Sequence, residues 1–232
     1  MMWGTGAHFK KSEVLLTDYD YLPIPGTEPY KKGLYIMVKI LYQGGFDDNF
    51  CYLLSAGNND CAIIDPCGSC CDELQKLDIP QEKLKYIIIT HGHSDHFDAL
   101  EEVKELFPNA LVAGFRQGEF QKDIPLDEGS SLAFGSSSIE IIHAPGHSRD
   151  SICCIYAPDN ALFTGDTLFI DCIGFCRSPK TMAQTLERLR SLPDNLIVYP
   201  GHDYGCVKSR SLGEEKIKNP EFSPDFINSL RA

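Results

Sequence analysis

The 232-residue chain is poor in positive charge: 21 lysines and arginines stand against 33 aspartates and glutamates, giving a formal net charge of -12. Affinity for nucleic acid rests on lysine and arginine neutralising phosphates, so this balance argues against a nucleic-acid partner. Long apolar runs are also missing. No stretch approaches the span of a transmembrane helix, and the first residues hold no apolar segment of the length a signal peptide needs. The expectation is a cytoplasmic, unprocessed chain that engages no membrane. Repeats, low-complexity tracts and dividing linkers are absent as well. With 43% hydrophobic residues, the chain therefore reads as one domain with a full core. Cysteine, by contrast, is plentiful at ten residues. In a chain long enough to build its own core and lacking an export signal, these read as reduced thiols rather than disulfides.

Residues 1–33 mix aromatics, charges and turn formers such as Pro23, Pro25, Gly26 and Pro29 without periodicity. They read as an N-terminal extension ahead of a single domain over 34–232. Short β-rich runs at 34–42, 50–55 and 61–65, separated by Gly/Asn/Asp clusters, predict an antiparallel meander. A short helix over 71–77 leads into 85–90, a run apolar enough to be buried on both faces. Strands then alternate with helices. Helices are expected over 97–107, over 181–192 and within 205–218, and strands at 111–113, 139–143, 151–156, 161–164 and 196–199. This order gives an α/β (α+β) class with sheets packed face to face and helices outside, although periodicity alone leaves the number of layers open.

The histidines carry the chemical information. His91, His93 and His96 fall within Thr90-His-Gly-His-Ser-Asp-His96, directly after the apolar run 85–90. His147 lies in Pro145-Gly-His147, Asp166 in Gly165-Asp166 and His202 in Pro200-Gly-His202, each just past another strand-like run. Strands fix the origins of such loops, and glycine and proline let the backbone turn so that imidazoles converge. His91 and His93, two apart on extended backbone, project to one side and can share an ion. Asp95 and His96 suit a second ion alongside. A lone histidine is more often a core or surface residue, which is the reading for His8 and His143. A surface histidine tract would not account for three further ligand types, each glycine-flanked and each behind an apolar run.

The pattern His-x-His-x-Asp-His at 91–96, with His147, Asp166 and His202, resembles the metallo-β-lactamase superfamily, in particular its glyoxalase II-like (hydroxyacylglutathione hydrolase) branch. The phrases Phe46-Asp-Asp-Asn-Phe, Thr164-Gly-Asp-Thr-Leu-Phe169 and Leu192-Pro-Asp-Asn-Leu-Ile-Val-Tyr-Pro-Gly-His-Asp-Tyr204 are similar to that branch. The resemblance runs from about 38 to 219 and implies a four-layer αββα sandwich. It also implies a two-metal centre, with zinc the commonest ion and iron or manganese known. His91, His93 and His147 would hold the first ion, Asp95, His96 and His202 the second, and Asp166 would bridge. A hydroxide at that centre would cleave a small, anionic thioester or related ester, Asp95 orienting it and passing on its proton, while Tyr204 donates to an oxyanion or carboxylate. Asp166, where antibiotic-destroying members carry cysteine, argues against a β-lactam substrate.

Two other activities stay open. Persulfide dioxygenases share nearly all these motifs but use one iron on residues matching His91, His147 and Asp166, and lactone hydrolysis needs only the same chemistry. The chain stops soon after Asn219-Pro220, where glyoxalase II enzymes continue into a helical extension that grips glutathione. Arg177 is a candidate for an anionic substrate group, weighed against a solvated surface arginine. Cys67-Gly-Ser-Cys70 reads as free thiols, because a C-x-x-C without a second pair is weak evidence for a metal. Homo-oligomerisation is compatible with the sequence but not specified by it.

Overall fold

A computed structural model describes residues 37–45 and 47–232. The extension read over 1–33 lies outside the described residues, as does the start of the first expected strand. Twelve strands form two six-stranded sheets. The first sheet holds β1 (Met37–Gly44), β2 (Asn49–Ser55), β3 (Cys61–Ile64), β4 (Leu84–Ile89), β5 (Leu111–Phe115) and β6 (Ile124–Leu126), in that order. β1, β2 and β3 pair antiparallel, as the meander predicts, and β3 to β6 run parallel. The second sheet has the order β12-β11-β10-β9-β8-β7, made of β7 (Ser131–Phe134), β8 (Ser137–His143), β9 (Ile152–Tyr156), β10 (Ala161–Gly165), β11 (Ile197–Pro200) and β12 (Arg210–Ser211). Only β10 and β11 pair parallel there.

Side-chain alternation explains why these strands read as continuous apolar runs. In β2, Phe50, Tyr52 and Leu54 face the second sheet, while Cys51 and Leu53 face outward into a second core. That outer core is closed by α1 (Cys70–Lys76) through Cys70, Cys71 and Leu74, and by α2 (Leu100–Leu106) through Val103. On the other side, Cys153, Leu162 and Val198 point out beneath α3 (Pro179–Arg190), whose Met182, Ala183, Leu186 and Leu189 are fully buried. α4 (Leu212–Lys218) and α5 (Pro224–Ser229) complete that layer through Leu212 and Ile227. Helix, sheet, sheet, helix is the four-layer αββα arrangement.

The second half departs locally from the sequence reading. The helix expected within 205–218 begins only at Leu212, because Ser211 caps it by accepting from Glu214 N, and 205–209 is a bent, irregular segment. It is not the last helix, since α5 follows. The helix expected over 97–107 starts at Leu100. The short strands β6, β7 and β12 had no counterpart in the sequence reading; β6 has three residues with a central proline and β12 only two.

The two sheets are stitched together at one end of the sandwich. Phe50 N donates to Gly201 O at 2.8 Å and Ile152 N donates to Thr90 O at 2.9 Å. All the loops that carry candidate ligands leave their strands at this end.

Candidate metal centre

The seven candidate ligands meet. His91, His93, His147 and Asp166 offer ligand atoms that all lie within 4.8 Å of one another, and Asp95, His96 and His202 do the same. Between the sets stands Asp166, with Oδ2 3.6 Å from His91 Nε2, 3.4 Å from His147 Nε2 and 3.3 Å from His202 Nε2, and Oδ1 3.3 Å from His96 Nε2. Asp95 Oδ2 lies 3.7 Å from His96 Nε2 and 3.8 Å from His202 Nε2. Ligand atoms around one tetrahedral ion with bonds near 2.0–2.1 Å stand roughly 3.3 Å apart, so these separations fit a divalent cation in each set.

The outward-facing ring nitrogens show why a cation suits this cluster. His96 Nδ1 donates to Asp65 Oδ2 at 2.9 Å, His147 Nδ1 to Phe175 O at 3.0 Å and His202 Nδ1 to Asp47 O at 2.6 Å. Thr90 Oγ1 gives its own proton to Asp65 Oδ2 and so can only accept from His91 Nδ1, 3.2 Å away. These partners assign the protons to Nδ1 and leave the Nε2 lone pairs facing inward. His96 Nε2 and His202 Nε2 face each other at 3.2 Å, and His93 Nδ1 stands 2.9 Å from His91 Nε2 and 3.0 Å from His147 Nε2. Buried Asp166 Oδ1 has no hydrogen-bond partner. Converging lone pairs and an orphaned carboxylate oxygen are the acceptor set a positive charge satisfies.

Electrostatics agree in sign. Burial works against a charged His96, but the carboxylates of Asp166 and Asp65 outweigh it and hold its pKa well above the usual histidine value. For Asp166 burial pushes the pKa up, yet the surrounding His96, His202 and His91 hold it well below the usual carboxylate range.

The sequence profile of the Metallo-beta-lactamase superfamily matches residues 44–202. The chain belongs to this superfamily. It is 33% identical over 162 residues to a hydroxyacylglutathione hydrolase of Francisella philomiragia, a match covering 67% of this chain and 63% of that relative. The chain thus spans less than two thirds of that protein's length. It is 31% identical over 185 residues to a probable polyketide biosynthesis zinc-dependent hydrolase, BaeB, of Bacillus velezensis, covering 74% of this chain and 80% of the relative. Among solved structures, ETHE1 from Myxococcus xanthus superposes with a TM-score of 0.73 at 28% identity, over 84% of this chain and 90% of the other.

In this metallo-β-lactamase fold the candidate ligands are held by residues the sequence did not single out. Asp65, at the exit of β3 with φ 52°, accepts from Thr90 N and Thr90 Oγ1, both at 2.7 Å, as well as from His96. Asn49 Nδ2 donates to Asp95 Oδ2 at 2.9 Å and to Asp95 O at 3.2 Å. The usable signals were that Asp65, like the ligands, ends an apolar strand, and that Asn49 falls in the phrase Phe46-Asp-Asp-Asn. Glycine is required where ligands crowd the backbone: a Cβ at Gly201 would stand 2.3 Å from Asp166 Oδ1 and 2.9 Å from His96 Cε1.

The remaining candidates divide. Tyr204 lies against the centre, its ring stacked on His202 at 5.0 Å with an 8° interplanar angle, and is 46% exposed. Burial, with Asp47 next, pushes its phenol further up, so it stays a donor. Arg177 lines a cavity beside His93. Cys67 and Cys70 are buried and unpaired, as are Cys51, Cys153 and Cys154, and all ten cysteines are free. His143 stacks on Phe115 and bonds to Arg149 O, outside the centre. No helix among the described residues is long and apolar enough to cross a membrane.

Proposed function

We propose that the chain is a metal-dependent hydrolase that cleaves a small thioester of the hydroxyacylglutathione type, or a related ester, at a centre of two divalent cations, zinc before iron or manganese. His91, His93 and His147 would hold one cation and Asp95, His96 and His202 the other, with Asp166, which lies between the two sets, available to both. The observation that carries this reading is the set of Nε2 lone pairs turned inward around the orphaned Asp166 oxygen. The relatives named hydroxyacylglutathione hydrolase and zinc-dependent hydrolase support it. Free thiols at every cysteine support a reducing, cytoplasmic setting.

When bound, two such cations supply Lewis acidity and lower the pKa of a coordinated water toward 7. The protein does the rest. Asn49 fixes Asp95 at Oδ2, and Asp95 orients the attacking water and takes its proton. Burial pushes the Asp95 carboxyl up, but the Asn49 donor and His96 bring it below the ordinary value, so it stands ionised for this task. Tyr204, still protonated, donates its hydroxyl to the oxygen that gains charge as the acyl carbon becomes tetrahedral.

A second reading keeps one observation of its own: His91, His147 and Asp166 alone already converge, at 3.6 and 3.4 Å, as a three-residue site for a single iron in a persulfide dioxygenase. Metal analysis of the purified protein, with thioesters, lactones and glutathione persulfide assayed in parallel, separates the two. About two zincs per chain with thioester turnover is the expected result; about one iron with oxygen uptake overturns the hydrolase. His93→Ala and Asp166→Ala should each abolish turnover with the circular dichroism spectrum retained.

A further inference from the structure

Half of the ten cysteines, Cys51, Cys61, Cys67, Cys70 and Cys71, lie in the outer core beneath α1 and α2. Cys61 turns away and donates to Asn59 O. The other four cluster, and each is at most 1% exposed. Cys51 comes from β2, Cys67 from the loop after Asp65, and Cys70 and Cys71 from the first turn of α1. The Cys51 thiol meets the thiol of Cys70 and the backbone of Cys67, and Cys70 N donates to Cys67 O at 3.3 Å. Structural thiolate metal sites need about four converging donors. Among the described residues, however, the sets of three or more potential ligand atoms within 4.8 Å of one another are the two of the metal centre. What this cluster offers is a pair of sulfurs.

Geometry selects which pair. Consecutive Cα atoms stand about 3.8 Å apart, short of the roughly 4.4–6.8 Å that a relaxed disulfide spans, so Cys70 and Cys71 are poor partners. Cys67 meets Cys51 and Cys70 through its backbone. Cys51 and Cys70 remain, brought together from two elements. Their acidities also differ. Hydrogen bonding from Cys51, helped by Cys71 and opposed by burial, holds the Cys70 thiol below its ordinary value, whereas burial pushes Cys51, Cys67 and Cys71 up. Cys70 is therefore the attacking sulfur and Cys51 the resolving one. A cavity of about 540 Å³, bounded by Leu41, Tyr42, Ser69 and Asp72, reaches this corner from outside. α1 has seven residues and no side-chain cap from Ser69, so its first turn opens at little cost to a molecule the size of peroxide.

We propose that Cys51 and Cys70 form an oxidation site, a dithiol that hydrogen peroxide converts to a disulfide joining β2 to α1. The Cys70 sulfur attacks one peroxide oxygen, the O–O bond breaks, and the departing hydroxide leaves with the thiol proton as water, giving a sulfenic acid. The Cys51 sulfur then attacks Cys70, the S–O bond breaks, and a second water carries away the Cys51 proton. Two thiols give up two electrons, and one peroxide becomes two waters. The new bond lies between two supports of the metal centre. Asn49, two residues before Cys51, holds Asp95, and Asp65, two before Cys67, holds His96.

The test treats the full, freshly reduced chain with hydrogen peroxide, unfolds it in N-ethylmaleimide and cleaves before aspartate. That cleavage puts Cys51 on the peptide starting at Asp48, and Cys67, Cys70 and Cys71 on the peptide starting at Asp65. The two peptides should be found linked in most molecules, with fragmentation placing the bond at Cys51 and Cys70 and dithiothreitol releasing it. Cys153 and Cys154, as deeply buried and with thiols pushed up by burial, should stay fully alkylated. In Cys51→Ala, dimedone should trap a sulfenic acid at Cys70, and Cys70→Ala should form neither product. Should either variant fail to fold by circular dichroism, the linkage in the parent decides alone. A bond from Cys70 to Cys67, oxidation confined to exposed Cys206, reaction of Cys153 and Cys154 at the same rate, or a parent whose Cys51 and Cys70 stay free overturns the proposal.

Discussion

His96 Nδ1 stands 2.9 Å from Asp65 Oδ2, and the same carboxylate accepts both the amide and the hydroxyl of Thr90. One buried acid thus fixes the tautomer of a candidate ligand and the end of the strand from which His91, His93, Asp95 and His96 issue. Removing its charge while keeping its shape should weaken the hold on the neighbouring cation. Asp65→Asn is expected to lose about 10- to 100-fold in metal affinity, the usual cost of disturbing a ligand's outer partner. Competition with a fluorescent zinc chelator reads this directly, and affinity equal to the parent's would show that Asp65 serves the fold alone.

Gly201 sits between Asp166 and His96 with no room for a methyl group. Gly201→Ala must push one of them aside. We expect a stability loss of about 1–3 kcal/mol from overpacking and fewer than two ions per chain after dialysis. Calorimetric melting and metal analysis check both, and a variant with full metal content would refute the steric reading.

Behind the centre, Arg210 joins Asp171 at 2.6 Å to Glu215 at 2.8 Å, and Glu215 Oε2 accepts from Asp171 N. This network pins the loop after Asp166 to α4. Arg210→Met leaves Glu215 buried and unpaired, a situation that costs about 3–5 kcal/mol. Urea unfolding should show it as a shifted midpoint at constant slope. If Glu215→Gln added to Arg210→Met restored nothing, the uncompensated charge would not be the cause.

Asp159 is buried with Oδ2 unpartnered, and burial pushes its pKa up to about 7. In the unfolded chain the same group titrates near 3.9. The folded form therefore holds its proton longer, and stability associated with this group is full below about pH 4 and lost progressively as the pH rises through 7. Asp159→Asn resembles the protonated form. It should melt higher than the parent by several degrees at pH 8, about 2 kcal/mol, with a smaller advantage at pH 5. An advantage independent of pH would contradict this origin.

Much of the centre could be read from the chain because metal chemistry restricts residue types. Imidazoles and carboxylates recur one or two residues past apolar runs, a placement that packing of the core does not demand, and the fold brings all seven together. Asp65 and Asn49 could not be read the same way. Their partners lie 31 and 46 residues away, and a single buried aspartate or asparagine has no local signature. Two of the outer partners, the carbonyls of Asp47 and Phe175, are backbone atoms and invisible to residue identity. The long strands were legible because burial on both faces makes them apolar throughout. β12 was not, since two residues paired to β11 carry no period, and the polar stretch before Ser211 resembled the helix it precedes.

The stitched end of the sandwich has a consequence for how the protein matures. His91, His93, Asp95 and His96 come from one half of the chain, while His147, Asp166 and His202 come from the other. Neither half owns a complete acceptor set. As the chain is made, the set of His91, His93, His147 and Asp166 becomes complete only once β10 is in place, and the set of Asp95, His96 and His202 only once β11 has docked and Phe50 has bonded to Gly201. A cation held by either candidate set would therefore require both halves of the fold to be in place, which makes metal content a readout of complete folding.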